Sequence, residues 1–200
     1  MEEEKLAAYI ESLHGFKYSQ EIDRYDHMGA VVVDGILQAG LNYYTTVKPR
    51  VDLILQKYGD KKTTNDFIEI CDEVGINALI NFKGKRPNWI VGLLGYLQEN
   101  NIQTTDELRI WLKESENKKR FKKLDGIKDK TANYFQILTG DDDAVKIDVH
   151  LKRFLESAGY SAVANNDEQS IDLIRKTAKI LQITPAILDH SIWTYQSNKK

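Results

Sequence analysis

The sequence has 200 residues, 42% of them hydrophobic, which is enough to bury a sizeable core and excludes global disorder. Its 28 Lys and Arg nearly balance its 30 Asp and Glu, which argues against a protein that coats nucleic acid through net charge. The single cysteine, Cys71, excludes an intramolecular disulfide, a cysteine-rich zinc site and an iron–sulfur cluster.

Apolar residues recur at helical spacing along most of the chain. The acidic start, MEEEKLAAYI, lacks the basic region of a signal peptide, and Asp34 and Gln38 interrupt the longest apolar stretch, residues 29–41. We therefore expect no membrane span and a location in the cytoplasm, associated with the nucleoid if the source is prokaryotic. The predicted helices cover residues 3–13, 29–39, 47–59, 63–75, 86–100, 104–114, 129–139, 149–158, 167–182 and 184–196.

Local signals mark several of the helix ends. Thr104 and Glu107 fit a capping box, Thr184 followed by Pro185 fits a helix start, and Gly75 fits a helix end. No stretch alternates convincingly with period two. The expected fold class is therefore all-α, with about ten helices.

The cations are concentrated in residues 117–130, NKKRFKKLDGIKDK. This segment carries seven Lys and Arg against two Asp, a net +5, which leaves −7 for the rest of a chain whose total is −2. A concentrated basic patch on an acidic body indicates a local anionic ligand. The alternative is a charged face that only contacts solvent.

The same segment predicts two helices joined by a short glycine turn. Leu124 ends the apolar face of the first helix, Gly126 permits the turn, Ile127 returns to the core, and the second helix begins near Asp129. The first amides of that helix lack intrahelical partners and carry partial positive charge. With the flanking lysines they form a phosphate site that positions a duplex without reading its sequence.

Residues 124–133, LDGIKDKTAN, resemble the helix-hairpin-helix of the endonuclease III-like DNA glycosylases, the HhH-GPD superfamily, which reads Leu-Pro-Gly-Val-Gly-x-Lys-Thr-Ala. The segment VKIDVHLKRF, residues 145–154, is similar to the Val-Asp-x-His-x-x-Arg segment of that family. The 18 residues from Lys130 to Asp148 fit the family's spacing of catalytic lysine and aspartate. The layout of residues 31–47 and 81–97 also matches, so the resemblance spans residues 28–155.

The chain departs from the family pattern in three ways. Asp125 stands at the proline of the hairpin, and Lys128 stands at its second glycine, where the side chain could itself reach a phosphate. The usual C-terminal four-cysteine cluster is absent, so the resemblance implies a member without an iron–sulfur cluster, and we expect no metal or other cofactor.

The resemblance implies a two-lobed all-α HhH-GPD DNA glycosylase fold. Residues 29–138 would form a helical barrel lobe that ends in the helix-hairpin-helix, residues 117–138. Residues 1–28 and 139–200 would form the second lobe. Lys130 and Asp148 would meet at the junction, a usual place for an active site.

Lys130 is the candidate nucleophile. The positive helix end, partial burial and the nearby Lys122, Lys123 and Lys128 favour an uncharged amine, which can attack a sugar carbon and form a Schiff base. The resemblance implies that Lys130 displaces a damaged base at C1′ and that the imine then allows strand cleavage by β-elimination. It assigns stabilisation of the oxocarbenium charge and proton transfer to Asp148, which is also placed to cap the following helix.

The other candidate residues would contact DNA. Gln38 corresponds to the family residue that fills the gap left by the flipped base. Tyr43 and Tyr44 are candidate stacking walls, whereas we expect Trp89 and Tyr134 in the core. The candidate contacts to the DNA backbone are Lys122, Lys123, Gly126, Lys128, Thr131, Lys152 and Arg153.

Three functions fit these observations. The first is a monomeric base-excision repair enzyme, a DNA glycosylase with AP lyase activity. It would act on double-stranded DNA that contains an abasic site or a damaged base, and an oxidised pyrimidine or 8-oxoguanine is the expected kind of lesion. The second is a non-catalytic helix-hairpin-helix DNA-binding protein, in which Lys130 and Asp148 are structural. The third is a helical module that binds an acidic protein partner.

Overall fold

The structure is a computed structural model that describes residues 1–20 and 22–198. Within them the chain forms thirteen α-helices and one π-helical turn, Tyr43–Val47, and no strand, which confirms the all-α class. The α-helices are α1 Glu2–Ser12, α2 Met28–Leu37, α3 Lys48–Tyr58, α4 Thr64–Val74, α5 Ile76–Leu79, α6 Arg86–Glu99, α7 Thr105–Lys113, α8 Ser115–Phe121, α9 Asp129–Leu138, α10 Val149–Ser157, α11 Ser161–Ala164, α12 Asp167–Ile180 and α13 Pro185–Ser197.

The predicted helix ends follow the capping signals. The hydroxyl of Thr104 accepts the Glu107 amide at 3.2 Å, and the Glu107 carboxylate accepts the Thr104 amide at 2.9 Å. Thr184 caps α13 by accepting the amide of Ile187 at 3.2 Å. Helix α4 ends at Gly75, whose φ of 79° costs glycine little. These caps confirm the corresponding predictions.

The prediction of about ten helices was too low. The missed helices α5 and α11 contain four residues each, too few to show a helical repeat of apolar residues, whereas α8, with seven residues, is the first helix of the predicted hairpin. The π-helical turn was also missed. It begins after Asn42, whose side chain accepts the amide of Thr45 at 2.9 Å.

The chain divides into two compact units. Unit 1 contains Met1–Asp23 and Asp141–Lys200, and unit 2 contains Arg24–Gly140. The sequence predicted the boundaries between the two lobes after residues 28 and 138. Residues 24–27 belong to unit 2 in part because the amide of Tyr25 donates to the carbonyl of Leu138, at the end of α9, at 3.1 Å.

Each unit has its own apolar core. In unit 1, α1 contributes Leu6 and Ile10 to a cluster with residues of α10, α12 and α13. In unit 2, α2 lies at the centre, and all ten of its residues are buried. Gly35 allows the ring of Phe135 in α9 to approach closely, because a Cβ at this position would lie 2.3 Å from the ring. Helices α2 and α9 are therefore in close contact.

Candidate nucleic-acid interface

The predicted hairpin is present in unit 2 as α8, a short turn and α9. The amide of Ile127 donates to the carbonyl of Leu124 at 3.1 Å and closes the turn. Gly126 is the third residue of this turn and has a φ of 79°, the conformation that a type II turn requires there. A Cβ on Gly126 would also lie 2.6 Å from a ring carbon of Trp89 in α6. Glycine is thus needed for both conformation and space.

Apolar side chains fix the hairpin to the core of unit 2. Ile127 is completely buried, as predicted, and Leu124 packs against the same core. At the end of α8, the ring of Phe121 meets the ring of Phe135 edge-on, with 5.1 Å between their centroids. The turn is therefore held on both sides.

The positive charge of the hairpin is partly neutralised by neighbouring acidic groups. Lys122 forms an ion pair with Asp129 across the turn at 2.5 Å, and Lys119 pairs with Glu116 at 2.6 Å. Exposed pairs of this kind contribute about 0–1 kcal/mol, so a phosphate could compete for the lysines. Lys123 and Lys128 are exposed.

The first turn of α9 carries the candidate nucleophile. Lys128 precedes the helix with extended backbone, and its side chain makes no cap hydrogen bond to the first α9 amides. Lys130 is the second residue of the helix and is half-buried. Thr131 is only 5% exposed, so little of the residue is accessible for its predicted DNA contact.

Gln38 lies at the same end of the α2–α9 pair as Lys130. The hydrogen bond from Tyr25 to Leu138 joins the start of α2 to the end of α9, and the two helices pack together. They therefore run in opposite directions, and the end of α2 lies beside the start of α9. Within unit 2 the fold brings these two predicted site residues to one end of the helix pair.

The backbone around Gln38 is held by a partly buried guanidinium. Arg86 donates to the carbonyl oxygen of Leu37 at 2.6 Å and to that of Ala39, and burial lowers the pKa of Arg86. The side-chain nitrogen Nε2 of Gln38 is buried and has no hydrogen-bond partner among the described residues. An unsatisfied buried amide costs about 1–3 kcal/mol. A ligand that accepts from this nitrogen would remove that cost.

The aromatic candidates divide into core and surface residues. Tyr134 is buried, as predicted, and Trp89 packs against the core beneath the hairpin turn. Tyr43 is half-buried and its hydroxyl lies 3.4 Å from that of Tyr25. Tyr44 is 62% exposed and meets Tyr43 edge-on. Of the two predicted stacking walls, Tyr44 is the more accessible.

In unit 1, Asp148 caps α10 as predicted. Its Oδ1 accepts the amides of His150 at 2.8 Å and Leu151 at 3.1 Å, and the residue is 6% exposed. The two bonds fix the orientation of the carboxyl group. Asp148 and Lys130 belong to different units.

A group of aromatic and basic side chains in unit 1 was not predicted as a site. The ring of Trp193 stacks on His190 with 5.8 Å between centroids and meets His150 edge-on at 6.1 Å, and Lys146 Nζ lies 6.0 Å from it. Burial lowers the pKa of His190. Asp23 opposes this effect, and Lys146 adds to it. His190 and Trp193 are three residues apart in α13, the only signal in the sequence for this pairing.

The two remaining predicted contacts in unit 1 differ. Lys152 forms an ion pair with Asp167 at 2.8 Å, so a phosphate contact would have to displace that carboxylate. Arg153 is exposed on α10. We retain both as predictions.

The described residues contain no group of three or more His, Cys, Asp or Glu side chains that could hold a metal ion. With Cys71 as the single cysteine, the chain does not fit the four-thiolate iron–sulfur cluster of the family it resembles. In the part of the chain that the structure describes, no helix has both the length and the apolar character needed to cross a bilayer.

Comparison with known proteins gives a match to a family profile. The family profile described as "Domain of unknown function (DUF8548)" matches residues 4–197. No curated protein and no solved structure matches the chain.

Proposed function

We propose that this chain, which belongs to the DUF8548 family, is a base-excision DNA repair glycosylase with AP lyase activity that removes an oxidised base. The observation that carries the proposal is the arrangement at one end of the α2–α9 pair. The glycine hairpin, the helix start that bears Lys130, and the buried side-chain nitrogen of Gln38, which has no hydrogen-bond partner among the described residues, support it.

The hairpin would bind the DNA backbone. Amides of the first turn of α9 point out of the helix start and favour a phosphate, and exposed Lys123 and Lys128 add positive charge. Lys128 stands where the HhH-GPD superfamily has glycine. Its side chain would make a charge-assisted contact with a phosphate, in place of the close contact between backbone and phosphate that glycine allows. Gln38 would occupy the space of the flipped nucleotide and gain hydrogen-bond partners from the opposite strand.

Lys130 would perform the chemistry at the sugar. Its Nζ gives up a proton and attacks C1′, the bond from C1′ to the base nitrogen breaks, and the base leaves with the electron pair and takes up a proton. The nitrogen lone pair then opens the sugar ring by breaking the C1′–O4′ bond, and O4′ takes up a proton. The resulting imine acidifies C2′, and loss of a C2′ proton breaks the bond from C3′ to its oxygen and cleaves the strand. Water then hydrolyses the imine and releases Lys130.

Asp148 would supply the carboxyl group for this reaction. Its orientation is fixed by the two amides of α10, which leaves little freedom for its carboxyl group to rotate. We assign to it stabilisation of the developing oxocarbenium charge and transfer of protons during base departure and elimination.

The second candidate function is DNA binding without catalysis. Two features favour a weaker contact with the DNA backbone than a glycosylase of the HhH-GPD superfamily would use. They are the ion pairs that neutralise part of the hairpin and Lys128 in place of its second glycine. In this case the hairpin binds DNA, and Asp148 serves only as the cap of α10.

Borohydride trapping distinguishes the two functions. A duplex with one natural abasic site is incubated with the protein, and borohydride then reduces any imine to a stable covalent complex. Glycosylase and lyase function predicts a complex that Lys130→Ala abolishes and that Lys128→Ala, a matched lysine two positions earlier, retains at reduced yield. Binding of the duplex by the wild type with no trapped complex would instead support the second function.

A further inference from the structure

Helix α2 contains one acidic residue, Asp34, in an otherwise apolar sequence. Asp34 is 0% exposed, and each carboxyl oxygen accepts a tyrosine hydroxyl. Tyr25, from the segment before α2, donates to Oδ2 at 2.8 Å, and Tyr134, from α9, donates to Oδ1 at 3.1 Å. The hydroxyl of Tyr43 lies 3.4 Å from that of Tyr25.

An apolar residue would satisfy the packing of α2 at lower cost than this carboxyl group. Burying a carboxyl group is unfavourable unless its oxygens are hydrogen-bonded, and replacing a buried polar group and its partners by apolar residues is often neutral or stabilising. The Asp34 contact is directional. Its hydrogen bond to Tyr134 therefore fixes how α9 is rotated and translated relative to α2. Packing alone fixes these less sharply.

The position of the contact relates it to the candidate site. Tyr134 is four residues after Lys130 along α9, and Asp34 is four residues before Gln38 along α2. Since the two helices run in opposite directions, both site residues lie about 6 Å beyond the hydrogen bond, toward the same end of the pair. The Tyr134–Asp34 bond is therefore one helical turn from each.

We propose that Asp34 is a positioning residue, which through Tyr134 sets the first turn of α9, with Lys130, against the Gln38 end of α2. Where it concerns the reaction of Lys130, the inference rests on the proposed function. Asp34 itself touches neither DNA nor the reacting atoms in this role.

Two tyrosine variants separate positioning from a general contribution to stability. Tyr134→Phe and Tyr25→Phe each remove one hydroxyl that donates to Asp34, but only Tyr134 lies on α9. We expect Tyr134→Phe to slow single-turnover trapping on abasic DNA by about tenfold, with affinity for a reduced, non-reactive abasic analogue within about twofold of wild type. We expect Tyr25→Phe to leave the trapping rate within about twofold.

Amide hydrogen exchange gives a readout that needs no activity. In Tyr134→Phe, a peptide from the start of α9 should exchange about tenfold faster than in wild type, while a peptide from α4 is unchanged. Tyr25→Phe should leave the α9 peptide unchanged. Equal exchange of α9 in the two variants would overturn the inference, as would an α9-specific effect accompanied by unchanged trapping.

The outcomes also separate this inference from the proposed function. If the wild type forms no trapped complex, the glycosylase proposal fails, while the exchange of α9 still decides whether Asp34 and Tyr134 position it. As a second variant, the combination Asp34→Leu, Tyr25→Phe and Tyr134→Phe replaces the Asp34 carboxyl group and the two tyrosine hydroxyls that donate to it by apolar groups. It should retain the fold by circular dichroism and lose about tenfold in trapping rate, and full trapping would contradict the positioning role.

Discussion

Replacing Gly126 by alanine is the sharpest structural perturbation of the hairpin. The residue has a φ of 79°, and alanine in the left-handed region costs about 1–2 kcal/mol. The added methyl group would lie 2.6 Å from a ring carbon of Trp89, against an ordinary contact distance of 3.4–4 Å. Overpacking of this kind adds about 1–3 kcal/mol, so we expect Gly126→Ala to lower the free energy of unfolding by about 2–5 kcal/mol.

Urea denaturation followed by far-ultraviolet circular dichroism measures this loss. At an m-value of about 2 kcal/mol/M, the midpoint should fall by roughly 1–2.5 M. Gly92→Ala is the matched control, since Gly92 lies inside α6 and an added methyl group would have nothing within 4 Å, and it should gain about 0.5–1 kcal/mol. If Gly126→Ala unfolds at the same urea concentration as wild type, this geometry of the turn is wrong.

Three further predictions concern charge and titration. Asp129→Asn removes the partner of Lys122 and should raise duplex affinity by about two- to fivefold at low salt, an effect that fluorescence anisotropy should show fading as salt increases. Burial lowers the pKa of His190 in the folded state from its ordinary 6.5, so the unfolded chain binds a proton there at higher pH than the folded chain. Stability should therefore be full above pH 6.5 and decline as pH falls from that value toward the lowered pKa, and His190→Gln should flatten this decline in the thermal unfolding temperature. Burial raises the pKa of Cys71 to about 11, so its reaction with a disulfide reagent at pH 8 should be at least about tenfold slower in native than in urea-unfolded protein.

The helix boundaries could be predicted because their causes are local. Thr104 with Glu107, and Thr184 before Pro185, satisfy helix-start amides within three residues of themselves. The turn at Gly126 was likewise predictable, since the apolar residues on either side fix its direction into the core. Each of these signals involves neighbours in sequence and needs no tertiary information.

The polar contacts of unit 2 could not be predicted because they join distant segments. In the sequence, Asp34 only interrupts an apolar stretch, and its bond to Tyr134 spans 100 residues. Arg86 reaches back 49 residues to the carbonyl of Leu37. Nothing near Gln38 in sequence indicates that its amide nitrogen would be buried. These contacts depend on which helix faces meet, which no local pattern specifies.

Peptide mapping of the borohydride-reduced complex tests the central claim most directly. After trapping on abasic DNA and digestion of both protein and DNA, mass spectrometry should find the sugar adduct on the peptide that contains Lys130. We predict this single major site and its absence in Lys130→Ala. An adduct on another lysine, or duplex binding with no adduct at all, would contradict the assignment of Lys130 as the nucleophile.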